Sequence, residues 1–125
     1  MLVRLLTAAV LALTLSAPPA RAQSVSTALE ESLARLSEIM GALHYLRGIC
    51  KGSEGNRWRT DMQALLDAEG NNPERKARML ANFNRGYASY QQTYRTCTPA
   101  AEVAVKRYLD EGVKLARDVS ARYSN

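Results

Sequence analysis

Apolar and aromatic side chains recur every three or four residues between Pro73 and Cys97, which is the spacing of one face of an α-helix. The stripe holds the only Phe of the chain and three of its six Tyr. Its members are Ala77, Leu80, Phe83, Tyr87, Tyr90, Tyr94 and Cys97. A helix with such a face has to bury it. We therefore predict one long helix that faces the core along this stripe. The other segments are predicted to pack around it.

Three further segments also have helical periodicity. The first is predicted to begin at Thr27, whose spacing to Glu30 is that of a capping box, and to run to about Lys51. A short helix follows over about residues 57–69, and a last helix over about residues 99–123. No segment shows the alternation of a half-buried strand, so the pattern indicates helices throughout.

The connections between these segments contain helix stop and start signals. Gly70 is placed to end the short helix, because glycine adopts positive φ without a steric clash. Asn72 before Pro73, and Thr98 before Pro99, have the order of an N-cap followed by a first-turn proline. Four helices joined by short connections predict an all-α fold, an antiparallel up-down four-helix bundle.

The N-terminus has the pattern of a secretory signal peptide. A basic start is followed by the apolar run Leu5–Leu15 and by the small-residue site Ala20-Arg21-Ala22. We assign residues 1–22 to a cleaved signal peptide and residues 23–125 to one helical domain. An uncleaved membrane anchor is the alternative, but the apolar run is shorter than the roughly 20 residues of a spanning helix. Export predicts a periplasmic location, with secretion as the second choice, and no transmembrane span after cleavage.

Charge narrows the range of partners. The formal net charge of +5 falls to +3 once Arg4 and Arg21 leave with the predicted signal peptide. The remaining charges alternate in sign along the chain and form no basic tract, which is typical of solvated helix faces. We therefore expect no nucleic-acid partner for the exported domain.

The two cysteines, Cys50 and Cys97, are predicted to form a disulfide. In the bundle topology the first and third helices run in the same direction, so both cysteines fall at one end, and export supplies an oxidising compartment. They lack the C-x-x-C spacing of a redox pair, so we interpret the bond as structural. On the chain-entropy model, a closed loop of this length stabilises the fold by roughly 4 kcal/mol.

The sequence contains no recognisable catalytic or metal-binding pattern. The sole histidine, His44, lies one position off the apolar stripe of the first helix, and no second histidine or free cysteine is spaced to complete a metal site with it. We interpret it as a boundary or core residue. The c-type haem attachment motif and the nucleophile elbow of hydrolases are both absent. We therefore predict no metal, no cofactor and no enzymatic activity.

An arginine-rich end is the sharpest candidate for function. Four side chains are predicted to fall within a turn or two of the disulfide: Arg47, Arg57, Arg59 and Arg95. The N-termini of the second and fourth predicted helices point to the same end, and guanidinium groups beside helix N-termini suit an anion. The competing interpretation is structural. Cations in the last turns of helices complement the helix dipole, and Arg47 can pair with an acid such as Asp61.

Four short runs, taken in order along the chain, resemble a known family. They are Tyr45-Leu46-Arg47 with Cys50, Trp58-Arg59 with Met62, Phe83-Asn84-Arg85-Gly86-Tyr87, and Tyr94-Arg95-Thr96-Cys97-Thr98. The chain resembles, over nearly all of its predicted mature length, an uncharacterised family of small exported alphaproteobacterial proteins. The resemblance implies a periplasmic setting but no activity, because the family is a domain of unknown function. It marks six side chains as the first to test: Arg47, Trp58, Arg59, Asn84, Tyr87 and Arg95.

These observations together predict a non-enzymatic periplasmic interaction or envelope-associated module, with another envelope protein as its partner. The short second helix leaves part of the bundle covered by only three helices, where a groove could accept a partner helix. The alternative function is a small anionic-ligand binder that uses the arginine-rich end near the disulfide. The sequence leaves the molecular function and the oligomeric state open.

Overall fold

Four α-helices make up the fold. The computed structural model describes residues 20–123, with side chains from residue 27 onward. The helices are α1 (Ala20–Ile49), α2 (Arg57–Ala68), α3 (Pro73–Thr93) and α4 (Pro99–Tyr123). Because residues 20–123 contain no strand, the predicted all-α, four-helix fold is confirmed. None of these helices combines the length and the apolar character that crossing a membrane requires.

The predictions for the N-terminal part have different outcomes. Residues 1–19, most of the predicted signal peptide, lie outside the described residues, so cleavage stays a prediction. The predicted start of the first helix at Thr27 is wrong, because α1 already includes Ala20 and Thr27 lies inside it. Glu30, the expected partner in the capping box, instead accepts hydrogen bonds from two arginines of α3. The carboxylate therefore joins two helices instead of capping one.

α1 is the helix on which the other three pack. α3 makes the most extensive contact with it, followed by α4 and then α2. We predicted this central place for α3, and that prediction is wrong. α1 can hold it because its apolar side chains cover more than one face. Ile39, Leu43 and Leu46 are buried in a cluster with α4, whereas Leu33 and Met40 are buried mainly with residues of α2 and α3.

The crossing of α1 and α3 brings two helix backbones into direct contact through Gly41 and Gly86, and we call this contact the glycine seam. A Cβ atom on Gly41 would lie 1.9 Å from the carbonyl oxygen of Phe83. A Cβ atom on Gly86 would lie 2.1 Å from the carbonyl oxygen of Glu38. Neither position has room for a side chain, so this approach requires glycine on both helices.

The glycine seam determines which face of α3 is inward. Met79, Phe83 and Gly86 are buried, whereas Ala77 is exposed and the Leu80 side chain is 46% exposed. The prediction that Ala77 and Leu80 face the core is therefore wrong. The first two turns of α3 are rotated so that the residue beside Leu80 in the sequence, Met79, fills the core in its place.

The boundary signals predicted at Gly70, Asn72 and Thr98 are confirmed. Gly70, directly after the last turn of α2, has a φ of +27°. The Asn72 side chain accepts a hydrogen bond from the backbone N–H of Arg75 at 3.0 Å, as an N-cap does. The Thr98 hydroxyl oxygen accepts one from the backbone N–H of Ala101 at 3.1 Å, at the start of α4. Short polar side chains therefore satisfy free N–H groups at both starts.

Cys50 and Cys97 form the predicted disulfide, with their Cα atoms 4.8 Å apart. Cys50 directly follows α1, whereas Cys97 lies in the connection between α3 and α4, because α3 ends at Thr93 and not at Cys97 as predicted. The Tyr45 hydroxyl donates a hydrogen bond to the carbonyl oxygen of Tyr94 in the same connection. The end of α1 is therefore held to the segment that leads into α4 by one covalent bond and one hydrogen bond.

Candidate functional site

A cleft of about 320 Å³, which we call the α2–α3 cleft, opens between α1, α2 and α3. Its polar lining residues are His44, Arg59, Gln63, Asn84 and Tyr87. Its apolar lining residues are Met62, Leu66, Leu80 and Phe83. A concave site of this volume, with a few polar groups above an apolar floor, has the dimensions of a small-molecule site. Three of the six side chains that the family resemblance marked for testing line this cleft: Arg59, Asn84 and Tyr87.

Helical spacing gathers these side chains onto facing surfaces. The lining residues of α2 begin at Arg59 and recur at three and four positions, and those of α3 run from Leu80 through Asn84 to Tyr87. Residues at such spacings are neighbours on the surface of one helix. Because the glycine seam fixes the rotation of α3 against α1, it also fixes the side of α3 that borders the cleft. The cleft is therefore a consequence of the packing of the core.

His44 forms the α1 wall of the α2–α3 cleft. Its ring centroid lies 5.6 Å from that of Tyr87 and 6.0 Å from that of Phe83, and its Nδ1 atom is buried without a hydrogen-bond partner in the described part of the chain. Burial, and to a smaller extent the positive charge of Arg59, lowers the pKa of His44 below its ordinary value of 6.5. The imidazole is therefore neutral at pH 7, and it adds no charge to the cleft.

Among the residues that the structure describes, Arg59 is the only charged one that lines the α2–α3 cleft. Within residues 27–123, no carboxylate lies within ion-pair distance of its guanidinium group. The partly buried arginines of the fold differ from it. Arg35, Arg47 and Arg75 each form an ion pair with a glutamate, at closest distances of 2.7, 2.6 and 2.5 Å. Arg59 is thus a cation that the fold itself leaves available.

The two amide side chains in the cleft differ in their hydrogen bonding. Gln63 donates an exposed hydrogen bond from Nε2 to Oδ1 of Asp67 at 2.9 Å. The side-chain amide of Asn84 makes no hydrogen bond with any described residue. Its two N–H donors are therefore free, and it stands on α3 across the cleft from Arg59 on α2.

The four arginines of the predicted arginine-rich end have different neighbours in the structure. Arg47 donates from Nη2 to Oε1 of Glu54 at 2.6 Å and from Nε at 3.0 Å, and this pairing lowers the pKa of the Glu54 carboxyl group. Asp61, which we suggested as a partner for Arg47, instead lies 3.5 Å from Arg57 on its own helix. Arg95 is exposed between α3 and α4. None of these three arginines lines the α2–α3 cleft, which holds Arg59.

Trp58 belongs to a second cleft of about 360 Å³, the α2–α4 cleft, which lies between α1, α2 and α4. Its lining is mainly apolar and includes Leu43 and Leu109, with Arg57 and Asp61 as its charged residues. The indole Nε1 of Trp58 is buried, and no acceptor for it lies among the described residues. The adjacent residues Trp58 and Arg59 therefore serve different clefts.

Sequence reasoning did not mark six of the nine residues that line the α2–α3 cleft, and His44 and Leu80 are two of them. His44 was interpreted as a boundary or core residue, and its position beside the inner stripe of α1 was the available signal, because cleft walls lie at such boundaries. Leu80 was predicted to face the core, but it lines the cleft with 46% of its surface exposed. Among the described residues, no group of three or more His, Cys, Asp or Glu side chains could hold a metal ion.

Neither the curated proteins nor the solved structures contain a match to this chain. A family model described as "Protein of unknown function (DUF2385)" matches residues 28–123. The match contains every residue that lines the α2–α3 cleft, both cysteines of the disulfide and both glycines of the seam. Because it covers most of the sequence, the chain belongs to the DUF2385 family of proteins of unknown function.

Proposed function

We propose that this protein is a non-enzymatic module of the cell envelope that binds a small anion in the α2–α3 cleft. The observation that carries the proposal is the state of Arg59, a guanidinium group in the wall of a concave site with no carboxylate partner among the described residues. Charge-assisted hydrogen bonds from a guanidinium group to an anion are stronger than neutral ones, and they gain further strength beside an apolar surface.

The other polar groups of the cleft favour the binding of an anion over that of a cation. Every other polar side chain in the lining is an amide, a phenol or the neutral imidazole of His44, so Arg59 gives the cleft a net positive charge. The free amide N–H groups of Asn84 can donate to the same anion from the opposite wall. A guanidinium group and an amide on facing helices can therefore hold one ligand between them.

The proposed site differs from the one that the sequence suggested. The arginine-rich end near the disulfide was the predicted anion site, but Arg47 is neutralised there by Glu54. We therefore move the anion site to Arg59 and keep the predicted role of the protein as a binding module. In this role it captures a ligand for other components of the envelope, and it carries out no reaction itself.

Export to the periplasm is part of the proposal. The signal-peptide pattern of residues 1–22 supports it. The disulfide between Cys50 and Cys97 supports it as well, because such bonds persist in oxidising compartments. Protein recovered from the periplasm should begin at Gln23, which an intact-mass measurement reads directly. Retention of residues 1–22 on most molecules would reject the proposed cleavage.

Calorimetric titration of two matched variants with small anions tests the proposed site. Arg59→Gln and Arg95→Gln remove the same charge from exposed arginines, one inside the cleft and one outside it. We expect Arg59→Gln to weaken the binding of sodium benzoate at least about tenfold, and Arg95→Gln to change it less than about twofold. Equal losses in both variants, or no binding of benzoate, acetate or phosphate to the unmodified protein, would contradict the proposal.

A further inference from the structure

We propose that the ligand of the α2–α3 cleft is a monocarboxylate with a compact apolar or aromatic body. This inference rests on the proposed anion-binding function and specifies the chemical class of the anion. It depends on three features of the cleft, which are its single charge, its apolar floor and the placement of its two free donors. The charge and the floor each exclude a group of small anions, and the donors determine where the carboxylate lies.

The charge of the cleft fits one negative charge. Within residues 27–123, Arg59 is the only charged side chain in the lining, and the neighbouring imidazole of His44 is neutral at pH 7. A phosphate monoester, which carries between one and two negative charges at this pH, would bring charge that no second cation offsets. A carboxylate brings one negative charge, and its two oxygens match the fork of N–H donors on a guanidinium group.

The floor of the cleft fits an apolar body. Met62, Leu66 and Phe83 form buried surface at its base, and Leu80 exposes 46% of its side chain at its wall. A ring or short branched chain that covers Leu80 removes apolar surface from water, and each buried CH₂ group strengthens binding by roughly fourfold.

The donors are arranged to hold a head group and leave the body on the floor. Arg59 stands on α2 and Asn84 on α3, and neither side chain has a hydrogen-bond partner among the described residues. A carboxylate between them can accept from both, while its apolar substituent meets the rings of Phe83 and Tyr87. The volume of about 320 Å³ admits a single ring or a short chain and is at the lower limit of small-molecule sites.

Titration of the full protein with five probes separates the ligand class from the proposed function. The probes are benzoate, cyclohexanecarboxylate, acetate, inorganic phosphate and benzamide. We expect benzoate and cyclohexanecarboxylate to bind at least about tenfold more tightly than acetate or phosphate, because only they fill the apolar floor. We expect benzamide, which has the ring of benzoate without its charge, to bind at least about tenfold more weakly than benzoate.

A pair of exposed apolar residues supplies a matched control for the floor. Leu80→Ser should weaken benzoate about threefold to tenfold and leave acetate unchanged, since only the apolar contact is lost. Val103→Ser makes a similar change at a residue of α4 that is 58% exposed and outside the cleft, and it should leave benzoate binding unchanged. Both positions are exposed, so neither substitution should prevent folding.

The outcomes distinguish the two levels of the proposal. Phosphate or acetate binding as tightly as benzoate, with loss in Arg59→Gln, would overturn the monocarboxylate class while the anion site stands. Benzamide binding as tightly as benzoate, or no binding of any probe, would overturn the anion-binding function and the ligand class together. Equal effects of Leu80→Ser and Val103→Ser on benzoate would show that the apolar floor is not the contact surface, which also overturns the class.

Discussion

Adjacent residues of α3 belong to two regions of opposite character, the glycine seam and the α2–α3 cleft. At the seam, Gly86 touches the backbone of α1 so closely that a Cβ atom would lie 2.1 Å from a carbonyl oxygen. One position further along the chain, Tyr87 lines an open cleft of about 320 Å³. The seam has no room for an added atom, whereas the cleft has room for a ligand.

The comparison separates residues that position the site from residues that bind. Contact between two backbones is stiff, so the seam sets the rotation of α3 and thereby decides that Asn84 and Tyr87 border the cleft. A change at the seam should lower stability. A change at the cleft should alter binding and leave stability close to its original value. The following predictions test this separation in order of decreasing effect.

Reduction of the disulfide should have the largest effect, because it acts on both regions together. The bond between Cys50 and Cys97 closes a loop with a sequence separation of 47, which contains all of α2 and α3. Its loss should lower the free energy of unfolding by up to about 4 kcal/mol. Urea unfolding followed by circular dichroism, with and without reductant, measures this change. The helical spectrum should persist without urea, and an unchanged midpoint would contradict the prediction.

The substitution Gly86→Ala should break the glycine seam. The added methyl group would overlap backbone atoms of Glu38, so the two helices have to move apart, at a cost of about 3 kcal/mol. Gly48→Ala is the matched control, because a Cβ atom at this exposed helical position meets no other atom within 4 Å. The control should be neutral or stabilise by up to about 1 kcal/mol. Equal effects in thermal unfolding would refute the role of the seam.

Removal of an ion-paired arginine should lower stability, whereas removal of the unpaired Arg59 should weaken anion binding. Arg75 joins Glu69, whose side chain is 3% exposed, to Glu30, so Arg75→Ala leaves a buried acceptor without its donor and should destabilise by about 2 kcal/mol. Arg59→Gln should change stability by less than about 0.5 kcal/mol, although it weakens anion binding. Urea unfolding of both variants measures the difference. A large loss of stability in Arg59→Gln would assign Arg59 to the core and not to the site.

The pH dependence of stability should contain a small contribution from His44. The folded protein lowers the pKa of His44 below 6.5, so between that lowered value and pH 6.5 the unfolded chain binds more protons than the folded one. Stability should therefore rise with pH through this window and fall on acidification. Urea midpoints measured across the window should vary less in His44→Gln than in the unmodified protein. An identical pH dependence in the two proteins would contradict the buried, neutral state of the imidazole.

The caps and the disulfide could be predicted from the sequence because their signals are local or depend on topology alone. Asn72 and Thr98 cap the helices that follow them, as their positions before prolines indicated. Cys50, directly after α1, and Cys97, in the connection after α3, form the bond that the predicted topology placed at one end of the bundle. These features can be predicted from the residue types alone, because they do not depend on how the helices are rotated about their axes.

The rotation of α3 could not be predicted, because hydrophobic periodicity gives no weight to glycine. Met79 and Leu80 are both apolar, and the aromatic stripe favoured Leu80 as the inward residue. The contact of Gly86 with the α1 backbone instead turns Met79 toward the core and leaves Leu80 exposed. The ion pair between Arg47 and Glu54 could not be predicted either, because Glu54 lies in a loop whose conformation depends on the packing around it. The cleft was missed for the same reason, since its walls follow from these rotations.

A ¹H–¹⁵N NMR titration of the full protein with benzoate tests most directly the central claim that the α2–α3 cleft binds a carboxylate. It reports separately on the Asn84 amide in the α2–α3 cleft, on the Trp58 indole in the α2–α4 cleft and on Arg95 outside both. The account predicts saturable shifts of the Arg59 Nε–H and Asn84 amide signals, with little change at Trp58 or Arg95. Saturable shifts centred on Trp58 or Arg95, with Arg59 and Asn84 unmoved, would contradict it.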